Sequence, residues 1–242
     1  MGGRVENPID RLMERASCAL ARTDYFEALR DAWSGLRRAR AAADFDRMSR
    51  ICLPLLEARR QIRLEAESVG HVRLLSHPAD VPRPLAPGCY LIQPPMIGAD
   101  ARVLRDTATK AKIAVSVLAR EPLTLRGLWP IVGVGEISVR VQIDPPAPLE
   151  RVEGHITRDG FVGPVPLVWF RQAGEALGDA AIGRVPADLH PHWRVDDLLE
   201  ALEAVPEHEG LHRALAEACR EAVGVEAPQG RRPSPLDNPY SF

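Results

Sequence analysis

Residues 88–143 read GCYLIQPPMIGADARVLRDTATKAKIAVSVLAREPLTLRGLWPIVGVGEISVRVQI, and the order of apolar runs in this stretch decides the fold class. Cys89 to Ile92 is an apolar run between Gly88 and Pro94-Pro95, the pattern of a short strand buried on both faces. Asp100 can cap a helix in which Ala101, Leu104, Ala108 and Ala111 return at three- and four-residue spacing, with Lys110 and Lys112 at its end to complement the helix dipole. Ile113 to Leu118 is again almost wholly apolar, so strand, helix and strand make a βαβ unit, with a right-handed crossover expected. EPLTLRGLWP, with Pro122 and Pro130, is too short and irregular for a second crossover helix. Ile131 to Val134 reads as a strand, and Gly135-Glu136 as a two-residue turn with glycine at positive φ. Ile137, Val139, Val141 and Ile143 then alternate with polar residues, which predicts a half-exposed edge or antiparallel strand. These signals predict a mixed sheet of about four strands. HVRLLS before it reads as a short strand, and Asp159-Gly160 as the turn of a small hairpin.

On the N-terminal side the pattern is helical. Asn7-Pro8 is a helix start, followed by Ile9, Leu12, Met13, Ala16, Ala19 and Leu20 on one face. A second helix follows Thr23-Asp24 with a stripe from Tyr25 to Ala39, and a third follows Asp44 with Phe45, Met48, Ile51, Cys52, Leu55, Leu56 and Ile62 inward. Pro54 predicts a kink or break in the third. DYFEALRDAWSGLRRARAAADFDRM resembles the second helix, turn and next helix of a tetratricopeptide (TPR) repeat, through Asp24-Tyr25, Ala28, Leu36, Ala39 and the short turn before Asp44-Phe45. The resemblance covers residues 8–66, under two repeats of about 34 residues. Arg15 stands where the repeat has a large apolar residue, and Gly35 replaces a close-packing alanine. The resemblance implies protein or peptide binding, with Tyr25, Trp33 and Arg37 as the partner-binding candidates. So few repeats rarely bury a continuous core, so these helices are expected to pack on the rest of the chain.

On the C-terminal side PLVWFRQAGEALGDAAI predicts a helix with Val168, Trp169, Ala173, Leu177 and Ala180 on its apolar side. RVDDLLEALEAV and EHEGLHRALAEACREAV predict an αα-hairpin turning at Val205-Pro206. The fold class is therefore α+β: a TPR-like helical N-terminal region (1–68), a Pro-rich linker (69–88), a small α/β domain with a βαβ unit (89–166), a C-terminal helical hairpin region (167–225) and a disordered tail (226–242).

Composition excludes more than it identifies. The net charge of −2 gives no global basic field for nucleic acid or anionic membranes. No window has the roughly 18 uncharged apolar residues of a membrane span. Cys18, Cys52, Cys89 and Cys219 lie far apart, as buried free thiols in a reducing compartment do. A cytoplasmic protein is expected, with no cofactor, no nucleic acid and no membrane partner.

Three functional readings follow. The first is a non-enzymatic module for contacts with a protein partner or with itself. The second is a small-ligand or nucleotide binder at the carboxyl ends of the strands, where Gln93, Asp100, Arg120 and Glu121 are the polar groups available. QPPMIGAD there is not a phosphate loop, having one glycine and no following Lys-Ser/Thr. The third is a metal-dependent hydrolase, since His208-Glu209-Gly210-Leu211-His212 is a literal HExxH. That spacing can put His208 and His212 on one helical face as metal ligands, with Glu209 as general base. It would need a third ligand from Glu217, Glu221, His190 or His192. Pro206 and Gly210 argue instead for a solvated first helical turn.

Overall fold

The computed structural model describes residues 7–146, 151–152, 155–156 and 163–229. Its elements are α1 (Pro8–Ala21), α2 (Tyr25–Ala41), α3 (Phe45–Glu67), β1 (Val72–Leu75), β2 (Gly88–Ile92), α4 (Gly98–Lys110), β3 (Val115–Arg120), β4 (Trp129–Val134), β5 (Ser138–Ile143), β6 (Arg151–Val152), β7 (His155–Ile156), α5 (Leu167–Gly183), α6 (Pro191–Ala204) and α7 (Glu209–Ala222). The fold is α+β, as the hydrophobic pattern predicts. Five strands form the main sheet in the order β1-β2-β3-β4-β5, one more than the four firm strand signals because HVRLLS contributes β1. β1, β2 and β3 are parallel, while β4 and β5 run antiparallel.

Alternation along the strands divides the sheet into two faces. Tyr90, Ile92, Val117 and Val132 pack with Leu104 and Ala108 of α4. Cys89, Leu91, Leu118, Trp129, Ile131 and Val139 face the other way and join a single core with α1–α3 and α5–α7. The N-terminal helices thus have no separate core. Every residue of β2 and β3 is buried, which is why both runs are apolar at consecutive positions. β5 is the half-exposed edge its alternation predicts.

The two turns among α1, α2 and α3 have the same geometry. Thr23 and Ala43 take φ of 59° and 51°, and Asp24 and Asp44 then cap the next helix by accepting from the N–H groups of Glu27 and Arg47. Arg15 forms a two-pronged pair with buried Asp31 of α2, with both bonds at 2.8 Å. Gly35 sits where a Cβ would come 3.3 Å from Ile51, so its small size lets α2 approach α3.

Three local expectations are corrected. Pro54 does not interrupt α3, because packing of Ile51, Cys52, Leu55 and Ala58 on both sides of it outweighs the one lost hydrogen bond. The β4–β5 loop has three residues, since Val134 pairs with Ser138, and Gly135 is not at positive φ. Gly135 is required because a Cβ there would lie 2.7 Å from the Ala204 nitrogen. On α5 the buried stripe is Phe170, Ala173, Leu177 and Ala181, with Val168 exposed, because the core lies about one residue further round the helix. Asp159-Gly160 and most of the tail, from residue 230 onward, lie outside the described residues.

Candidate functional site

The sheet is not continuous. β2 and β3 pair over five positions, from Gly88↔Val115 to Ile92↔Ala119. β3 and β4 pair only at Ala119↔Val132 and Arg120↔Ile131. Continued toward the start of β3, the ladder would join Leu118 to Gly133 and Val117 to Val134, but the strands part there. The turn from α6 to α7, Val205 to His208, closes over the gap. Gly133 permits this approach, because a Cβ would stand 2.8 Å from the Ala204 carbonyl oxygen. Gly98 does the same on the opposite face, where a Cβ would come 2.7 Å from Val134 as α4 begins.

The space left is a cavity of about 50 Å³ lined by Ser116, Val117, Leu118, Val132, Phe170 and Leu177 among others. On this measure a water needs ~10–15 Å³, so the cavity holds a handful of water-sized atoms. Its polar lining is mostly charged: Arg63, Glu67, Arg102, Arg105, Arg171, Glu175, Glu207 and His208. Arg171 pairs with Glu67 at 2.9 Å, Arg63 with Glu175 at 3.4 Å and Arg102 with Asp106 at 3.9 Å. Arg105 has no carboxylate within ion-pair distance among the described residues. It donates through Nη2 to the carbonyls of Val134 and Glu203, at 3.3 and 3.4 Å.

Glu207 is the carboxylate at the centre of this arrangement. It accepts a hydrogen bond from the Ser116 hydroxyl, and Arg105, Arg59 and Arg63 surround it at longer range. Burial pushes its carboxyl pKa up, against the opposing pull of Ser116 and the arginines. The same burial lowers Arg105, with Glu207 opposing, and brings Arg59 down to about 10, so Arg59 stays cationic at neutral pH. A desolvated carboxylate held by one hydroxyl, beside guanidinium groups that do not touch it, is a site built for charge rather than for packing.

The HExxH residues take other roles. His208 is the N-cap of α7, its Nδ1 accepting from the Leu211 N–H at 3.2 Å, so its proton sits on Nε2, which faces Glu175 at 3.1 Å. His212 is buried, and its Nε2 donates to the Pro206 carbonyl at 3.0 Å. Burial lowers the His212 pKa to about 4, so the ring is neutral. The motif is therefore not a solvated first turn: the core of α5 and α7 closes over it, and Gly178 lies directly against the His208 ring. The two imidazoles spend their Nε2 atoms on different partners, and no three His, Cys, Asp or Glu among the described residues are grouped to hold a metal.

The strand-end residues are partly brought together. Arg120 donates to the Gln93 side-chain oxygen at 2.9 Å, lies over Trp129 with its guanidinium 4.3 Å from the ring centre, and Gln93 donates to Ser76 at 2.8 Å. Arg120, Gln93 and Trp129 are buried, and the cavity lies instead along the opening between β3 and β4. Asp100 caps α4 by accepting from the Ile97 N–H at 2.8 Å. Among the interaction candidates, Arg37 stacks on Trp33 and reaches Glu203 of α6 at 3.3 Å, so this pair helps dock α2 onto α6. Tyr25 starts α2, half-buried against the core.

Sequence reasoning missed Ser116, Arg105 and Glu207. Ser116 is the single polar residue in the run IAVSVLA, and two close glycines in VGVG mark the strand that parts from it. Those were the available signals. Compared with family models, with curated proteins and with solved structures, the chain has no match.

Proposed function

We propose that this protein binds a small ligand in the cleft between β3 and β4, with the helices serving as the frame that holds the cleft open. The observation that carries this reading is the parted ladder with a charged cavity inside it. A sheet otherwise paired over five positions on the neighbouring edge gives up its hydrogen bonds at the place where three sides contribute charged groups. Pockets of this kind, with apolar walls and a few convergent polar groups, are where small molecules bind. A fragment screen read by thermal shift tests it, with Ala101→Leu as the control because Ala101 lines the cavity. Fragments should raise the Tm of the parent chain and lose that effect in the variant. Equal shifts in both would place the fragments elsewhere and contradict the reading.

A second reading, self-association, is favoured by one surface. α3 and α7 flank a groove of about 940 Å³ that exposes Leu53 at 71 %. Its rim carries both signs, Asp46 and Glu217 with Arg50, Arg213 and Arg220, as a self-complementary two-fold face needs. Sedimentation equilibrium decides it: a dimer abolished by Leu53→Arg supports it, and a monomer at all concentrations does not.

A further inference from the structure

The groove between α3 and α7 is independent of the cleft, and the path of the chain beyond α7 bears on what fills it. The two helices run antiparallel. Arg63, late in α3, meets Glu209 at the start of α7 at 2.8 Å, while Arg220, late in α7, lines the groove together with Asp46 at the start of α3. The chain leaving α7 is therefore delivered to the beginning of α3, and it is tied down there. His192 donates through Nε2 to the Val225 carbonyl at 3.0 Å, and its ring packs on Phe45, the first residue of α3, with ring centres 4.5 Å apart. Residues 230–242, GRRPSPLDNPYSF, follow from that mouth and lie outside the described residues.

Length, chemistry and tethering favour this segment as the occupant. From Val225 to Leu236 the chain reaches about 34 Å at about 3.1 Å per residue, whereas Phe45 to Leu53 covers about 12 Å of helix at about 1.5 Å per residue. The segment thus reaches the centre of the groove with slack to spare. The rim pairs its own charges, Asp46 with Arg50 and Glu217 with Arg220, so the contact on offer is the apolar floor of Leu53, Leu56 and Ala214. Leu236, Tyr240 and Phe242 are the large apolar residues that arrive there, between Pro233, Pro235 and Pro239. Prolines restrict the free segment, so less conformational entropy is lost when it seats. A short tether also holds it at an effective concentration of about a millimolar, which a second copy of the chain reaches only in concentrated solution.

We propose that residues 233–242 fold back along the α3–α7 groove of their own chain as a strap, with Leu236 seated against the exposed Leu53 side chain. The strap and a second copy are alternative occupants of one surface. While the strap is seated, the self-associating face is closed.

The test uses the full chain with Asn238→Cys carrying a nitroxide. Cys18→Ser removes the exposed thiol, and Cys52, Cys89 and Cys219 are buried. In methyl NMR spectra Leu53 and Leu56 should lose most of their intensity at every protein concentration, while Leu104, on the opposite face of the sheet, keeps its own. Adding Leu236→Asp should restore both signals. Undiminished Leu53 and Leu56 signals in the labelled chain would overturn the strap, and a dimer abolished by Leu53→Arg would then give the groove to a second copy. Equal loss when the nitroxide and the labelled methyls are on different molecules in a mixture would overturn it in favour of tails exchanged between copies. Loss that survives Leu236→Asp would overturn it too, because it would show nearness from the tether without seating.

Discussion

The two edges of β3 differ in almost every physical respect. On the β2 side the strand pairs over five positions, its neighbours are apolar and fully buried, and the crossover helix α4 covers it. On the β4 side it pairs over two, and the space beyond is filled by a helix turn, two close-packed glycines and a set of charged side chains. The first edge is what hydrophobic burial alone produces. The second costs backbone hydrogen bonds and the desolvation of Glu207, Arg105 and Arg59, and such a cost persists where the groups have work beyond stability.

Substitutions should separate the edges. The largest effect is expected on the closed edge, where Leu91→Ala leaves a cavity in a fully buried position and should cost about 3 kcal/mol by chemical denaturation. On the open edge, Gly178→Ala would put a methyl into the His208 ring and push the α6–α7 turn away, costing about 1–3 kcal/mol as overpacked sites do. This variant should also weaken any ligand found in the cleft, which Leu91→Ala should not do at temperatures where it is folded.

Titration sharpens the contrast. His212 is buried neutral with a pKa of about 4 against 6.5 in the unfolded chain. Between those values the unfolded state takes up a proton that the folded state refuses, so stability is full above pH 6.5 and falls as pH drops toward 4, by about 3 kcal/mol in all. His212→Gln, which can still donate to the Pro206 carbonyl, should flatten that limb in denaturation curves measured across pH. Glu207 has the opposite sign. Its raised pKa means that the folded state holds a proton more readily than the unfolded state, so its contribution declines as pH rises above the unfolded value of 4.5. Glu207→Gln should therefore be more stable than the parent at pH 8, with the difference vanishing below pH 4.5. A loss of stability at pH 8 would mean that the carboxylate is fully paired in the folded protein.

The closed edge was legible in the sequence, because a strand buried on both faces leaves a continuous apolar run and its crossover helix leaves a repeat of three and four. Cys89 to Ile92, Ile113 to Leu118 and the alanine and leucine positions of α4 all carry those marks. β1 carries a weaker mark, since only Leu75 of its four residues is buried. The open edge was not legible, because its members come from six elements spread along the chain: α3, α4, β3, β4, α5 and α6 with its turn into α7. Glu207 looks like an acidic residue at a helix start, and Arg105 like the solvated side of α4. Nothing local announces that α4 reaches past the end of β4 toward the α6–α7 turn. The HExxH at 208–212 shows the same limit of local pattern: spacing gives two imidazoles one face only when both lie inside the helix, and His208 is the cap that precedes it. Arg37, exposed on α2 by its pattern, is committed to Glu203 by a contact 166 residues away.

Methyl NMR of the full chain with a fragment mixture tests the cleft most directly, because Val117, Leu118, Val132 and Val134 report from its walls and Leu53 and Leu56 report from the distant groove. Saturable shifts confined to the four cleft residues, and abolished in Ala101→Leu, are the expected result. Shifts confined to Leu53 and Leu56, or none at the cleft with any fragment, would contradict the assignment of the parted β3–β4 ladder as the functional site.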